Sequence, residues 1–371
     1  NADSIANTCN QNGIELVIIG PEQPLVEGLV DDLQLKNINV FGPSAKASRL
    51  EGSKAFSKEF FKKYKIPTAN YATFNDIESA LDHLKNISFP TVIKADGLAA
   101  GKGVLICQTI TEGKKALEEI FVDNAFGSAG NKVVIEDFLE GEEASFIAVV
   151  SGEEIIPLAT SQDHKAAYDG DKGPNTGGMG AYSPAPIVTD ELHKKIMDEV
   201  MSPTVKGLIA EGSSYLGFLY AGLMIKDDEI NVLEFNCRFG DPETQPIMMR
   251  LESSLVELCL AAINNTLGSH QVRWSSNHAC GVVIASEGYP GNYETDKEVV
   301  INNHSEDDVK LFHAGTKIQD NQLVTSGGRV FCATGTGADL ATAQKNAYNL
   351  VSKISFEGAV NRKDIGNKGI S

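Results

Sequence analysis

The chain has 371 residues, 42% hydrophobic and 22% charged, an ordinary balance for a globular protein of two to three domains. A net charge of −18 speaks against broad nucleic-acid or anionic-membrane binding, and no apolar run reaches the ~18 residues of a membrane span. Six scattered cysteines without a C-x-x-C pair argue against a zinc site or disulfide framework, which makes a reducing cytoplasm the expected compartment.

Asn1 to Asn10 are polar, lack an initiator Met and show no signal-peptide pattern, so the chain reads as incomplete at its start. Leu16–Ile19 is a short β-branched run ending in Gly20-Pro21-Glu22. A helical stretch follows around Leu25–Leu35, then a second strand at Asn39–Phe41 ending in Gly42-Pro43. Strand, helix, strand predicts a parallel βαβ unit. In such sheets ligands bind beyond the carboxyl ends of strands, where Gly20, Pro21 and Glu22 fall; plain turns explain the two Gly-Pro pairs equally well. Ser53–Tyr64 reads as a helix with Phe56, Phe60, Phe61 and Tyr64 as its core stripe. Lys54 and Lys58 share a face of it, either a solvated face or a phosphate contact.

Thr91–Asp96 is a strand that carries Lys94 into Gly97-Leu98-Ala99-Ala100-Gly101-Lys102-Gly103, and Val104–Cys107 is the strand that follows. Such a loop can close over phosphates with its backbone N–H groups. It is not a Walker A loop, since three residues rather than four separate its glycines and Gly103 follows the lysine. Lys132–Leu139 is a further strand leading to an acidic turn, either the wall of a nucleotide cleft or a surface hairpin. Ala144–Val150 and Ile155–Ala159 form a hairpin through Ser151-Gly152. Ser161-Gln162-Asp163-His164-Lys165 comes next, and then a long irregular stretch, glycine-rich and poor in apolar residues, that contains Asp169–Gly173 and ends in Asn175–Ala181, a functional loop or a linker. His164 lies there between Asp163 and Lys165, and structural and substrate-contacting roles weigh about equally.

Asp190–Glu211 is helical, Leu216–Ile225 and Asn231–Phe239 pair as strands, and Ser254–Asn264 is an apolar helix. In the second strand Leu233, Phe235, Cys237 and Phe239 alternate with Glu234, Asn236 and Arg238, giving one apolar and one charged face. Glu234 and Asn236 are hard oxygen donors suited to Mg²⁺ shared with phosphate, and Arg238 can fork a carboxylate or phosphate. A solvated amphipathic strand is the plainer reading of that strand alone. A boundary is expected near Gly268–Asn277. Ala279–Ala285, Val309–His313 and Arg329–Thr334 follow as strands and Ala338–Ser352 as a helix, a compact α+β unit.

Four motifs together carry a resemblance: Lys94 to Gly103, Gln162-Asp163-His164-Lys165, Asn175-Thr176-Gly177-Gly178-Met179-Gly180-Ala181, and Glu234 to Glu243. They resemble the phosphoribosylamine–glycine ligase (glycinamide ribonucleotide synthetase) family of the ATP-grasp superfamily, over essentially the whole chain. The resemblance implies a multidomain α/β and α+β protein. An N-terminal parallel α/β (pre-ATP-grasp) domain would span residues 1–70, a lid subdomain 71–136, the central ATP-grasp domain 137–272, and a C-terminal α+β domain 273–371. It implies ATP-dependent ligation of glycine to 5-phosphoribosylamine through a glycyl phosphate, in purine biosynthesis, with Mg²⁺ or Mn²⁺. Implied metal ligands are Glu234 and Asn236. Implied ATP contacts are Lys54, Lys94, the loop residues Gly97, Gly101, Lys102 and Gly103, the adenine-cleft residues Glu136, Phe138 and Leu139, and Glu143 near the ribose. Arg238, Lys94 and Asp241 are the implied catalytic set. Gly20, Pro21, Glu22, Asp163, His164, Lys165, Asn175, Gly177, Gly178, Met179, Arg238, Gly240 and Asp241 are the implied substrate contacts. A monomer or weak dimer in the cytoplasm, without nucleic-acid or membrane partners, completes the expectation. The family also carries a Gly-rich, Arg-Glu-His turn that helps hold the ribose phosphate, expected ahead of Asn1. Another ATP-grasp ligase, or a nucleotide-binding protein without catalysis, are the competing readings.

Overall fold

The computed structural model describes every residue except 99–102, 124, 126, 304–306 and 371. The chain divides into two compact units. The first takes Asn1–Pro157, Thr189–Phe239 and Leu255–His270; the second takes Leu158–Val188, Gly240–Ser254 and Gln271–Ser371.

In the first unit Val17–Ile18 and Val40–Phe41 pair in parallel, Val17 opposite Val40. The single helix expected between them is two, Glu22–Val26 and Leu29–Gln34, because Gly28 sits in the left-handed region at φ 89° and breaks the run. A four-stranded antiparallel sheet follows, in the order Tyr71–Phe74, Val133–Asp137, Thr91–Ala95, Val104–Cys107. Helices Ile77–Leu84 and Ile110–Phe121 cover it, burying Ala80, Leu84, Leu117 and Ile120 on Ile93, Val133 and Ile135. The side chains of Asp76 and Thr109 cap these helices by accepting from the amides of Ser79 and Glu112.

A second antiparallel sheet of this unit runs Glu229–Asn236, Leu216–Lys226, Glu142–Ser151, Glu154–Pro157. Its two central strands are buried almost throughout. Helix Leu255–Ile263 is tied to it where Ser151 Oγ donates to Ala262 O at 2.7 Å. The helix expected over residues 190–211 contains a π-helical segment, Met197–Met201, just before Pro203. Proline has no N–H to continue the regular ladder there.

The second unit is built on an antiparallel sheet ordered Val309–His313, Arg329–Gly337, His278–Ser286, Gly180–Ser183, Gln162–Asp163, with Ala359–Val360 also paired to the His278 strand. Helix Leu340–Val351 packs on one face, placing Leu340, Ala343 and Ala347 against Tyr182, Cys280 and Val282. The stretch after Lys165, expected to be irregular as far as Ala181, instead holds short strands, Ala166–Tyr168, Lys172–Asn175 and the start of Gly180–Ser183, preceded by Gln162–Asp163. All six cysteines are free thiols and buried. Among the described residues no helix is long and apolar enough to cross a membrane.

Candidate active site

In the first unit the strand Glu229–Asn236 is not the simple alternating ribbon that its sequence suggests. Val232 pairs with Leu223 and Glu234 with Gly222, which leaves Leu233 as an extra residue in a β-bulge. The bulge shifts the phase by one. Ile230, Val232, Phe235 and Cys237 are all buried, while Leu233, expected among the apolar residues, is only partly so. Glu234 and Asn236 then share the opposite face, set against Gly222 and Tyr220 of the neighbouring strand. The bulge also turns the Leu233 carbonyl toward Lys94, whose ammonium donates to it at 3.2 Å.

Lys94 belongs to a buried charge triad. Its Nζ lies 2.9 Å from Glu136 Oε1, a charge contact without hydrogen-bond alignment. Lys58 lies 2.9 Å from Glu136 Oε2, and it also donates to Thr68 Oγ1 at 2.6 Å. Thr68 in turn donates to Val232 O at 2.7 Å, so both lysines are tied to the bulged strand. Burial lowers Lys58 to about 8, with Glu136 pulling the other way. The solvated face considered for Lys54 and Lys58 is therefore wrong for Lys58, which is only 2% exposed. Glu136, expected to line an adenine cleft, bridges the two lysines. Lys54 donates to Gly97 O at 2.9 Å. Burial lowers its pKa and the nearby Glu234 charge raises it. Asp96 joins the start of the Lys54 helix to the end of the Lys94 strand, accepting from Ala55 N and Ser53 Oγ at 2.9 and 3.0 Å.

Arg238 is held from three sides. Its Nε is 3.4 Å from Glu22 Oε2, its Nη2 is 3.3 Å from Glu51 Oε1, and its Nη1 donates to Phe239 O at 3.2 Å. Glu51 escaped the sequence reading. Burial, the largest influence on it, pushes its carboxyl up to about 7 against the pull of Arg238. Gly20 and Pro21 are exposed beside Glu22. Phe138 is exposed and Leu139 and Glu143 are partly buried, near the end of Val133–Asp137 and the start of Glu142–Ser151. Gly103 accepts from Ala95 N at 2.9 Å. Gly101 and Lys102 lie outside the described residues.

In the second unit the two remaining motifs run side by side. His164 N donates to Gly180 O and Met179 N to His164 O, at 2.9 and 2.8 Å. Thr176 reaches back to Lys165 O through both N and Oγ1. Asn175 pairs with Ala166, and the Met179 side chain is in the core. Arg329, also absent from the sequence reading, organises the rest. It donates to Gly177 O at 2.8 Å and Asp241 O at 2.9 Å, and pairs with Asp241 Oδ2 at 2.9 Å. Gly178 has φ 116°, and a β-carbon there would lie 2.3 Å from Pro242 Cδ. Only glycine fits that close approach. Gly240 accepts from Thr244 N at the entry to helix Thr244–Arg250. His164 is 2% exposed and neither ring nitrogen has a hydrogen-bond partner among the described residues. Burial first, then the charges of Arg362 and Lys368, depress its pKa to about 4. Arg362 is itself buried, between Asp171 at 3.0 Å and Asp364 at 2.7 Å.

A carboxylate and a carboxamide on one strand face are hard donors, and Lys54 senses the Glu234 charge. Among the described residues no cluster of three or more His, Cys, Asp or Glu side chains is able to hold a metal. Oxygen donors of this kind suit Mg²⁺ shared between one or two side chains and substrate phosphates. The donor set thus fits the implied ion.

Family models of phosphoribosylglycinamide synthetase match in sequence order: the N domain at residues 1–51, the ATP-grasp (A) domain at 52–244 and the C domain at 279–368. The chain belongs to the phosphoribosylglycinamide synthetase family. It is 54% identical over 360 residues to the phosphoribosylamine–glycine ligase of Salmonella typhimurium, covering 96% of this chain and 84% of that protein. The ligase of Escherichia coli K12 is 54% identical over 362 residues, with the same coverage. The crystal structure of the Thermotoga maritima ligase superposes with a TM-score of 0.82 at 39% identity, over 88% of this chain and 82% of that one. The biotin carboxylase domain of Hydrogenobacter thermophilus 2-oxoglutarate carboxylase matches at TM-score 0.76 and 18% identity, over 97% and 79% of the two chains. That likeness concerns the ATP-grasp fold alone. The synthetase family and its three-domain order agree with the resemblance read from the four motifs.

Proposed function

We propose that this synthetase-family chain joins glycine to 5-phosphoribosylamine at the expense of ATP, giving glycinamide ribonucleotide, ADP and phosphate. It is an ATP-dependent ligase of purine biosynthesis. In the first step a glycine carboxylate oxygen attacks the γ-phosphorus of ATP and ADP leaves, forming glycyl phosphate. The amine of phosphoribosylamine then attacks the acyl carbon, phosphate leaves with the bonding electrons, and the amine loses a proton. Such a transfer needs alignment and charge neutralisation rather than a protein nucleophile.

The observation that carries the reading is the pair Glu234 and Asn236 on one strand face, held in phase by the bulge beside the cations Lys54, Lys94 and Arg238. Glu234 and Asn236 would hold Mg²⁺ or Mn²⁺, which when bound neutralises phosphate charge. Lys54 and the backbone of Gly97 and Gly103 would meet the phosphates, with Lys94 fixed behind them by Glu136. Arg238 would orient the glycine carboxylate or the transferring phosphoryl group, near Glu22. Phe138, Leu139 and Glu143 would meet the nucleoside. Asp163, His164, Lys165, Gly177, Gly178 and Asp241 would serve phosphoribosylamine and glycine. The four-part division read from the sequence remains our proposal for the domains, with a cytoplasmic monomer or weak dimer as the working form.

The test is ADP release with ATP, Mg²⁺, glycine and freshly generated phosphoribosylamine, omitting each in turn. Turnover should require all four, and Glu234→Ala should abolish it while thermal unfolding stays close to the parent. Undiminished ADP release by Glu234→Ala would sink the metal assignment. Turnover that persists without phosphoribosylamine but needs another amine would point to a different acceptor.

A further inference from the structure

Glu51 belongs to the short helix Arg49–Gly52 and is the last residue matched by the N-domain model. Its side chain is 7% exposed, and its two oxygens do different things. Oε2 accepts the backbone N–H of Cys237 at 2.6 Å, and Oε1 faces the Arg238 guanidinium at 3.3 Å. One carboxylate thus fixes both the main chain and the side chain at the end of the strand that carries Glu234 and Asn236. Burying a carboxylate is unfavourable, and a neutral side chain would serve as well merely to pack the helix. The second carboxylate on Arg238, Glu22, is more exposed at 31% and slightly more distant at 3.4 Å. Glu51 is therefore the stiffer of the two holds on a side chain with several free torsions.

We propose that Glu51 is a positioning residue for the ligase reaction: it sets the Arg238 guanidinium in the orientation that receives the glycine carboxylate or the transferring phosphoryl group. This rests on the reading of Arg238 given above. Glu51 itself touches no substrate. Its contribution passes through Arg238 and appears in the glycine-dependent step, leaving nucleotide binding alone.

The experiment uses the full chain with the variants Glu51→Gln, Glu51→Asp, Arg238→Lys and the Glu51→Gln/Arg238→Lys double. Gln keeps an acceptor for Cys237 N–H but loses the charge that holds Arg238, whereas Asp keeps the charge. Rates of ADP release are measured at pH 8, where the Glu51 carboxyl, raised to about 7 by burial, carries its charge, against glycine with ATP and phosphoribosylamine saturating. ADP binding is measured separately by calorimetry. Glu51→Gln should lower kcat/KM for glycine about ten- to a hundred-fold, the range expected when a charged hydrogen-bond partner is lost, with ADP affinity within about two-fold. Glu51→Asp should recover part of that loss. The double variant should be no more than about two-fold worse than Arg238→Lys alone, because the two residues act as one unit. If Arg238→Lys is impaired while Glu51→Gln keeps parental glycine kinetics, or if the two losses multiply, Glu51 is only a structural tie and the proposal fails. Should Glu51→Gln not fold, the same cycle is run with Glu51→Asp, whose shorter reach to Arg238 leaves a residual loss; a loss that multiplies with that of Arg238→Lys would overturn the proposal equally. A silent Arg238→Lys would instead overturn the reading of Arg238, and the proposal with it.

Discussion

Replacing Glu136 by Gln removes the negative charge between Lys58 and Lys94 while keeping the shape of the side chain. The three side chains are 3%, 3% and 8% exposed, so water does little to screen the two ammonium groups that remain. Removing one partner of a buried ion pair costs ~3–5 kcal/mol. Here one anion serves two cations, which argues for the upper half of that range. Lys58 provides a partial escape: burial already lowers it to about 8, so without Glu136 it sheds its proton near neutrality. The expected loss is ~3–5 kcal/mol, or roughly 6–20 °C in melting temperature for a unit of this size. Thermal and urea unfolding at pH 7 measure it, and repetition at pH 9 checks the cause. The deficit relative to the parent should shrink at pH 9, where the stranded Lys58 is more easily neutral. A loss below about 1 kcal/mol, or one that does not depend on pH, would refute the argument that a single charge holds the triad together.

Gly178→Ala should be destabilising by more than ~1–3 kcal/mol, since it combines a left-handed φ with a collision against Pro242. Gly177→Ala should cost distinctly less, because its φ is not left-handed and its β-carbon meets the Arg329 guanidinium rather than a proline ring; equal melting temperatures for the two variants would contradict this. His164 should remain neutral from pH 8 down to about pH 5, visible as imidazole NMR shifts that do not titrate over that interval. The sign of its effect on stability follows. The unfolded chain takes up the proton near the ordinary value of 6.5 and the folded chain only near 4, so His164 withdraws stability as pH falls through that window. His164→Gln should flatten the fall between pH 6.5 and 4, and an unchanged slope would count against the depressed pKa.

Much of this was legible because it is local. The apolar strands, the helix Lys54–Tyr64 and the glycine-bearing motifs declare themselves through period and composition. The bulge was also legible in principle. Ile230 and Val232 keep one phase and Leu233, Phe235 and Cys237 the other, so two apolar neighbours, Val232 and Leu233, mark the slip. A rule of strict alternation passes over it. The caps Asp76 and Thr109 likewise announce helices that the apolar pattern alone leaves indistinct. Glu51 and Arg329 were of another kind. Their partners lie 186 residues away at Cys237 and 88 residues away at Asp241, and no spacing along a chain reveals such a meeting. Lys58 belongs with them, since four-residue spacing from Lys54 identifies a shared helix face but not what covers it.

The interleaving of the two units has a consequence during synthesis. The strand Glu142–Ser151 finds its long partner only when Leu216–Lys226 has been made, and the first unit is not complete until residue 270. Between these points the ribosome must deliver residues 158–188, which belong to the other unit and lack the 278–286 strand they pair with. Folding from the N-terminus onward therefore cannot close either body in turn. A nascent chain arrested at residue 200 would present buried-type strand surface to chaperones, and a protease-resistant first unit should appear only after residue 270 has left the exit tunnel.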